Sequence, residues 1–333
     1  MKVVVSPGLE LLFGLLASGC YNEKSQRYYG TKLVRQPEGP YGESMQRFFA
    51  PHLTHLVFEQ LSTMMDFGFF FSRPVELMLA VSEPPELVWR ETPSAVLLKY
   101  SGGMAELEKL LVLLRDFANQ SKYMRFFDQV KEFYTEDLRA VQAHVQKYPF
   151  VELLESFFGE KQDDYAYVIS KLPVGNFGIH FSEPEGKLRC YSVFNVVPAQ
   201  VGQSPFGALN LNTTFHEFSH PLVNPLTESN PVLVDQYAPA YAKLLPHKLP
   251  GIGSGYGDWP DCMNEHIVRS IACFLSGVCE GGVATELWRE KELARGYCYL
   301  PAMLESLAFY QQNRAQYPTF ASYYPTLLQV FAE

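Results

Sequence analysis

"TTFHEFSHPLVNP", residues 213–225, carries two histidines four apart, with a glutamate directly after the first. On an α-helix, residues i and i+4 lie about one turn apart on the same face. His216 and His220 can therefore turn their imidazole nitrogens toward one metal ion. Glu217 projects beside them, where it can take a proton from water held by that ion. This is the mechanical content of H-E-x-x-H, and the ion it points to is Zn²⁺. With eight histidines in 333 residues, chance produces the pattern on the order of once in a hundred such chains. The competing reading is a helix whose histidines meet only solvent or core partners.

The flanks fit a helix. Thr213 or Thr214 can cap its start, and Phe215, Phe218 and Leu222 supply apolar faces. Pro221 removes the N–H that would bond the carbonyl of Glu217, so the helix is expected to bend or end just past His220. Asn224–Pro225 would close it.

Working outward, the hydrophobic period changes on either side of the motif. Residues 165–173, 176–182, 188–198 and 206–212 are short, β-branched or aromatic, and bounded by turns, and they read as strands of one sheet. The segment 183–186 is a turn, and "FGALNLN" (206–212) leads directly into the motif. At the N-terminus, 2–6 reads as a strand and 8–19 as a buried helix, while "RYYGTKLV" (27–34) has a strand-like look. Helical spacing covers 43–71 with a break at Pro51, then 104–121, 124–148 and 150–159. Helices return over 230–246, 262–277, 279–292, 301–314 and 321–332, across a Gly/Pro-rich connector at 249–260.

The fold class is therefore α+β and predominantly helical. A mostly helical N-terminal part (1–160) precedes a catalytic part (161–333) with sheet 165–212, metal helix 213–224 and a helical remainder. The two are expected to form one compact unit.

Composition narrows the function. A 47% hydrophobic, 19% charged chain of this length can bury a large core. A net charge of −9 argues against a nucleic-acid partner, which needs an electropositive face. "LLFGLLASGC" (11–20) resembles a lipoprotein signal, but Pro7 and Glu10 interrupt the run and only Lys2 precedes it as a base. No segment reaches the roughly 20 apolar residues of a membrane span. The six cysteines include no C-x-x-C pair, so they signal no thiolate metal site, and they mildly favour a reducing, cytoplasmic compartment. A secreted form lacking its leader is the other option. His52 and His55 read as surface or packing residues.

A catalytic zinc usually keeps three protein ligands and one open position. A third histidine at the longer metzincin offsets is excluded, because Val223 and Leu226 stand there. The best third ligand is Glu265, on a helix opened by Asp258, Pro260 and Asp261. Arg269, four residues on, can orient its carboxylate. Glu228, Asp235, His247 and Glu286 are rivals, and His266 points about 100° away from Glu265, toward solvent or the outer side of the site.

"HEFSH" followed by a downstream helical glutamate resembles the gluzincins, the thermolysin-like zinc metallopeptidases. Together, "VVVSPGLELLFGLLASG", "HEFSHPLVNP" and "GYGDWPDCMNEHIVRSI" look closest to a bacterial family known only as a domain of unknown function in that clan. The resemblance implies His216 and His220 as ligands, Glu217 as general base and Glu265 as third ligand. It implies a zincin-like mixed sheet packed on the motif helix. An edge strand would pair with an extended peptide, with 176–182 and 188–197 as candidates. It also implies a Tyr or His donor for the oxyanion. Tyr256 is the choice there, with Tyr237, Tyr241, His180 and Arg269 as competitors. The chain departs from the family in having Arg269 where an acidic residue is usual, and in the 45 residues between His220 and Glu265.

The leading expectation is thus a zinc-dependent peptidase acting on a peptide or protein. The alternatives are a zinc hydrolase of another amide or ester, and a non-catalytic binding protein on the same scaffold. An intact Glu217 speaks against the last.

Overall fold

The structure, a computed structural model, describes residues 1–182, 186–196, 210–244 and 258–332. The protein is α+β and predominantly helical, with a small mixed sheet of four strands among the described residues. The strands are β1 (Lys2–Val4), β2 (Asp164–Ser170), β3 (Phe177–Ser182) and β4 (Leu188–Asn195), in the order β1-β2-β4-β3. β1, β2 and β4 run parallel, with Val3 opposite Tyr167 and Val168 opposite Val193. β3 returns antiparallel to β4, with Ile179 opposite Tyr191. The sheet thus draws β1 from the N-terminus and its other three strands from the middle of the chain. β4 is interior, which removes it as a candidate edge; β3 lies at one end of the sheet among the described residues.

The N-terminal helix, Pro7–Ser18, is capped by Ser6 and buried along almost its whole length. Its apolar run therefore serves the core. No helix among the described residues is long and apolar enough to cross a membrane. Buried apolar side chains from Leu9 to Phe331 form one continuous cluster. The strand-like look of 27–34 was misleading. Tyr21–Tyr29 is a helix, ended by Gly30 in the left-handed region (φ 69°), and Tyr29 stacks on Phe70 at 4.3 Å. Only Val34 makes a β-bridge, to Pro173.

The motif helix runs from Leu211 to Ser229. It begins earlier than the threonines suggested, because Asn210 caps it and accepts a hydrogen bond from the Thr213 N–H at 2.8 Å. The expected strand over 206–212 therefore ends in a helix at Leu211; its first four residues lie outside the described ones. The helix also passes through Pro221 and Pro225. The carbonyl that Pro221 denies a helical partner, that of Glu217, faces β3 at Gly178, where a Cβ would lie 2.2 Å from the oxygen. Packing on both sides holds the proline-bearing turns in register. Tyr165 and Tyr167 of β2 set their rings against Phe218 at 5.6 and 5.2 Å. On the other side lies a long helix, Trp259–Glu280, whose Asn264 is bonded to Thr227. Asp258 caps that helix, accepting from the Asp261 N–H at 3.0 Å.

Candidate metal centre

Packing of the motif helix against Trp259–Glu280 brings His216, Glu217, His220 and Glu265 together. His216 Nε2 and His220 Nε2 stand 3.1 Å apart. Glu265 reaches both rings, with Oε1 3.5 Å from His220 Nε2 and Oε2 3.9 Å from His216 Nε2. Glu217 Oε1 is 3.9 Å from His216 Nε2. One ligand atom each from His216, Glu217 and His220 fits within 4.8 Å, a group able to hold a metal ion.

These spacings fit a zinc ion. Two nitrogens bound to one tetrahedral zinc at about 2.0–2.1 Å stand roughly 3.3 Å apart. The carboxylate supplies a second test. Glu265 Oε2 is buried and lies 2.8 Å from Arg269 Nη2, so the guanidinium holds the carboxylate ionised, the state a metal ligand needs. His220 adds a third indication. If its Nδ1 carries the proton, it donates to Asn224 Oδ1 at 3.3 Å, and Nε2 keeps its lone pair for a metal.

The two carboxyl groups differ in character. Burial pushes Glu217 up to about 7, with Glu265 adding to the effect and His220 opposing it. Burial also works to raise Glu265, but Arg269 and His220 outweigh it and hold the group well below the usual carboxylate range. Burial lowers His216 far below the ordinary imidazole value, with Arg269 second. Burial works to lower His220 too, but Glu265 overcomes it and raises that group.

Arg269 is itself fixed on both sides. Its Nη1 donates to Glu292 at 3.0 Å, Arg295 bonds the same carboxylate at 3.0 and 3.2 Å, and the guanidinium lies 4.3 Å from the centre of the Tyr297 ring. Glu292 is 2% exposed, so this is a buried chain of alternating charges ending on Glu265.

The four residues line a cleft of about 650 Å³. Gly175–Gly178, entering β3, form one part of its wall. Tyr29, Phe71, Arg73 and Tyr100 from the N-terminal half form another.

Other sequence expectations fall differently. Glu228, Asp235 and Glu286 are exposed and outside the cleft, and Glu286 pairs with Arg289. Tyr237, Tyr241 and His180 do not line the cleft. Arg269 does, but it is engaged by Glu265 and Glu292. Tyr256 and His247 lie outside the described residues. His266 does not face solvent; it packs behind the cleft against Tyr297, whose ring backs Arg269. It is 1% exposed, bonded to the Cys262 carbonyl at 2.9 Å and packed on Tyr297, Tyr299 and Phe331. His55 caps the helix Leu56–Met64 and meets Asp116, while His52 packs on Phe48 and Phe117.

Several residues went unread in the sequence. Asn224 could have been found by extending the four-residue spacing of the motif once more, and Glu292–Arg295 by its i,i+3 charge pairing. Nothing local marks the wall at 29, 71, 73 and 100.

No match to the chain was found among curated proteins or among solved structures. One family model matches, over residues 1–330, and its description names no activity. The chain belongs to that family, the domain of unknown function DUF4932.

Proposed function

We propose that this protein is a zinc-dependent peptidase of the gluzincin type, with His216, His220 and Glu265 holding the metal. The observation that carries the reading is the meeting of both imidazole Nε2 atoms with an arginine-braced carboxylate, beside a second, buried carboxyl group, that of Glu217. Bound there, zinc would acidify a water molecule and polarise a carbonyl. The two glutamates divide the labour by environment. Glu265, kept charged by Arg269, is suited to ligation. Glu217, buried and 3.9 Å from His216 Nε2, stands where it can take a proton from water at the metal and pass it to the leaving amine. Asn224 and Arg269 hold their partners in orientation. β3 ends the described sheet beside the cleft, which supports an extended chain laid along its edge and favours a peptide over a compact amide or ester. The zincin-like sheet-on-helix arrangement and a single compact unit belong to the same proposal.

The test combines metal analysis with digestion of an unbiased peptide library. Wild type and Glu217→Gln are expected to hold one zinc per chain, and His216→Ala to lose it. Glu217→Gln is expected to cut about 10²–10⁴-fold more slowly. Wild type without stoichiometric zinc, unchanged by His216→Ala, would sink the proposal. Zinc without peptide cleavage would favour hydrolysis of another amide or ester.

A further inference from the structure

The cleft wall opposite the motif helix carries a cation that the proposed chemistry does not use. Arg73 opens the helix Arg73–Ala80, and its guanidinium lies 4.7 Å from the Tyr100 ring centre and 5.7 Å from that of Phe71. Stacking occupies the flat face of a guanidinium and leaves its N–H edge free to bind. That edge is nearly unused. Nη1 makes only a 3.5 Å contact to the Phe70 carbonyl, while Nε is buried and out of a ligand's reach, so a ligand in the cleft would meet the two Nη atoms. No carboxylate among the described residues lies within ion-pair distance of Arg73, whereas Arg269 and Arg295 in the same cleft are both ion-paired. Asp261 and Glu76 feel its charge only at longer range.

The segment presenting Arg73 is set firmly. Phe71 holds a left-handed backbone (φ 53°), uncommon for a bulky side chain, and Gly68 just before it has φ 100°. A bulky residue in that conformation needs surroundings that hold it, and Phe71 packs edge-on against Tyr29 at 5.7 Å and Phe70 at 4.4 Å. The result is a preoriented, aromatic-backed guanidinium facing the cleft.

We propose that Arg73 is a specificity-determining residue that binds a carboxylate of the substrate, so that the cleft selects peptides with an acidic group at a fixed distance from the scissile bond. This rests on the peptidase reading above. A carboxylate fits because its two oxygens match the N–H pair of the guanidinium edge. Its source is an acidic side chain or the free C-terminus of the peptide.

The test measures binding separately from cleavage. Glu217→Gln protein is titrated with N-acetylated, C-amidated alanine heptapeptides carrying one Glu, or one Gln, at each position in turn. A parallel set has free C-termini. The expected result is a roughly 10- to 100-fold preference for Glu over Gln at one position, or for the free over the amidated terminus. The first outcome identifies a side-chain site and the second a terminus site. Adding Arg73→Gln should reduce the ratio to near one, while Arg73→Lys, which keeps the charge but not the fork, should retain part of it. A ratio near one before that change, or one that Arg73→Gln leaves intact, overturns the inference. Loss of the peptidase reading shows differently, as a wild type that cuts nothing while the Glu-to-Gln binding ratio persists.

Discussion

Gly178 is where the sheet meets the metal helix most closely, and Gly178→Ala tests that contact directly. A Cβ built on Gly178 would lie 2.2 Å from the Glu217 carbonyl oxygen, 2.9 Å from His220 Cβ and 3.2 Å from the Glu217 carbonyl carbon. Reaching ordinary contact requires strand and helix to part by roughly 1 Å in a close-packed interior. Overpacking of this kind costs about 1–3 kcal/mol. With an unfolding entropy of about 2.1 cal/mol/K per residue, 333 residues give roughly 0.7 kcal/mol/K, so Tm should fall by about 1.5–4 °C. Function should suffer more than stability. The atoms struck belong to the proposed base and a proposed ligand, and a 1 Å misplacement in such a site can cost about 10²-fold. Gly175→Ala is the control. It lies three residues earlier on the same wall, and a Cβ there meets nothing within 4 Å. Its stability should stay within about 0.5 kcal/mol of wild type. Differential scanning fluorimetry, zinc content and library cleavage are measured on both. If Gly178→Ala matches Gly175→Ala in Tm and keeps wild-type zinc and rate, the close packing of β3 on the motif helix is refuted.

Two further predictions concern buried charge. Arg269→Met would strand the Glu265 carboxylate, and breaking one side of a buried ion pair costs about 3–5 kcal/mol. A Tm drop of roughly 4–7 °C in chelator is expected; a drop under 1 °C would mean that Arg269 does not brace the site. Glu10 is buried in the N-terminal half, accepting from Tyr41 at 2.7 Å and from Ser170, and burial raises its proton affinity above the ordinary value of 4.5. A carboxyl raised on folding contributes stability that is present below 4.5 and is lost as pH rises toward its folded value. Glu10→Gln cannot ionise, so its Tm relative to wild type should improve as the pH rises above 4.5 and level off once the pH passes the folded value of Glu10. A pH-independent difference would show that Glu10 stays charged in the fold.

How much was legible depended on whether the signal was local. H-E-x-x-H, the Glu265–Arg269 pair and the Asp258 cap are spacings within one helix, and such spacings can be read because the helical repeat is fixed. Helices 104–121 and 150–159 were readable for the same reason, as strong apolar stripes. The helix start at Leu211 was misjudged because several polar residues in a row could serve as caps, and only Asn210 has the extended backbone that a cap needs. Continuation through Pro221 was hidden because a proline's local penalty was visible and the packing that overrides it was not.

The donor set His216–Glu217–His220 on one helical face, with an arginine one turn beyond Glu265, can be read along the chain. Only the tertiary structure decided that these two faces meet, leaving the imidazole Nε2 atoms 3.1 Å apart and a carboxylate across from both. Packing likewise places β3 at one end of the described sheet and Arg73 in the cleft. The reason is physical. Backbone geometry repeats along a helix and can be counted from the chain. Proximity between segments separated by tens to hundreds of residues follows from how apolar faces bury one another, and no single segment carries that information.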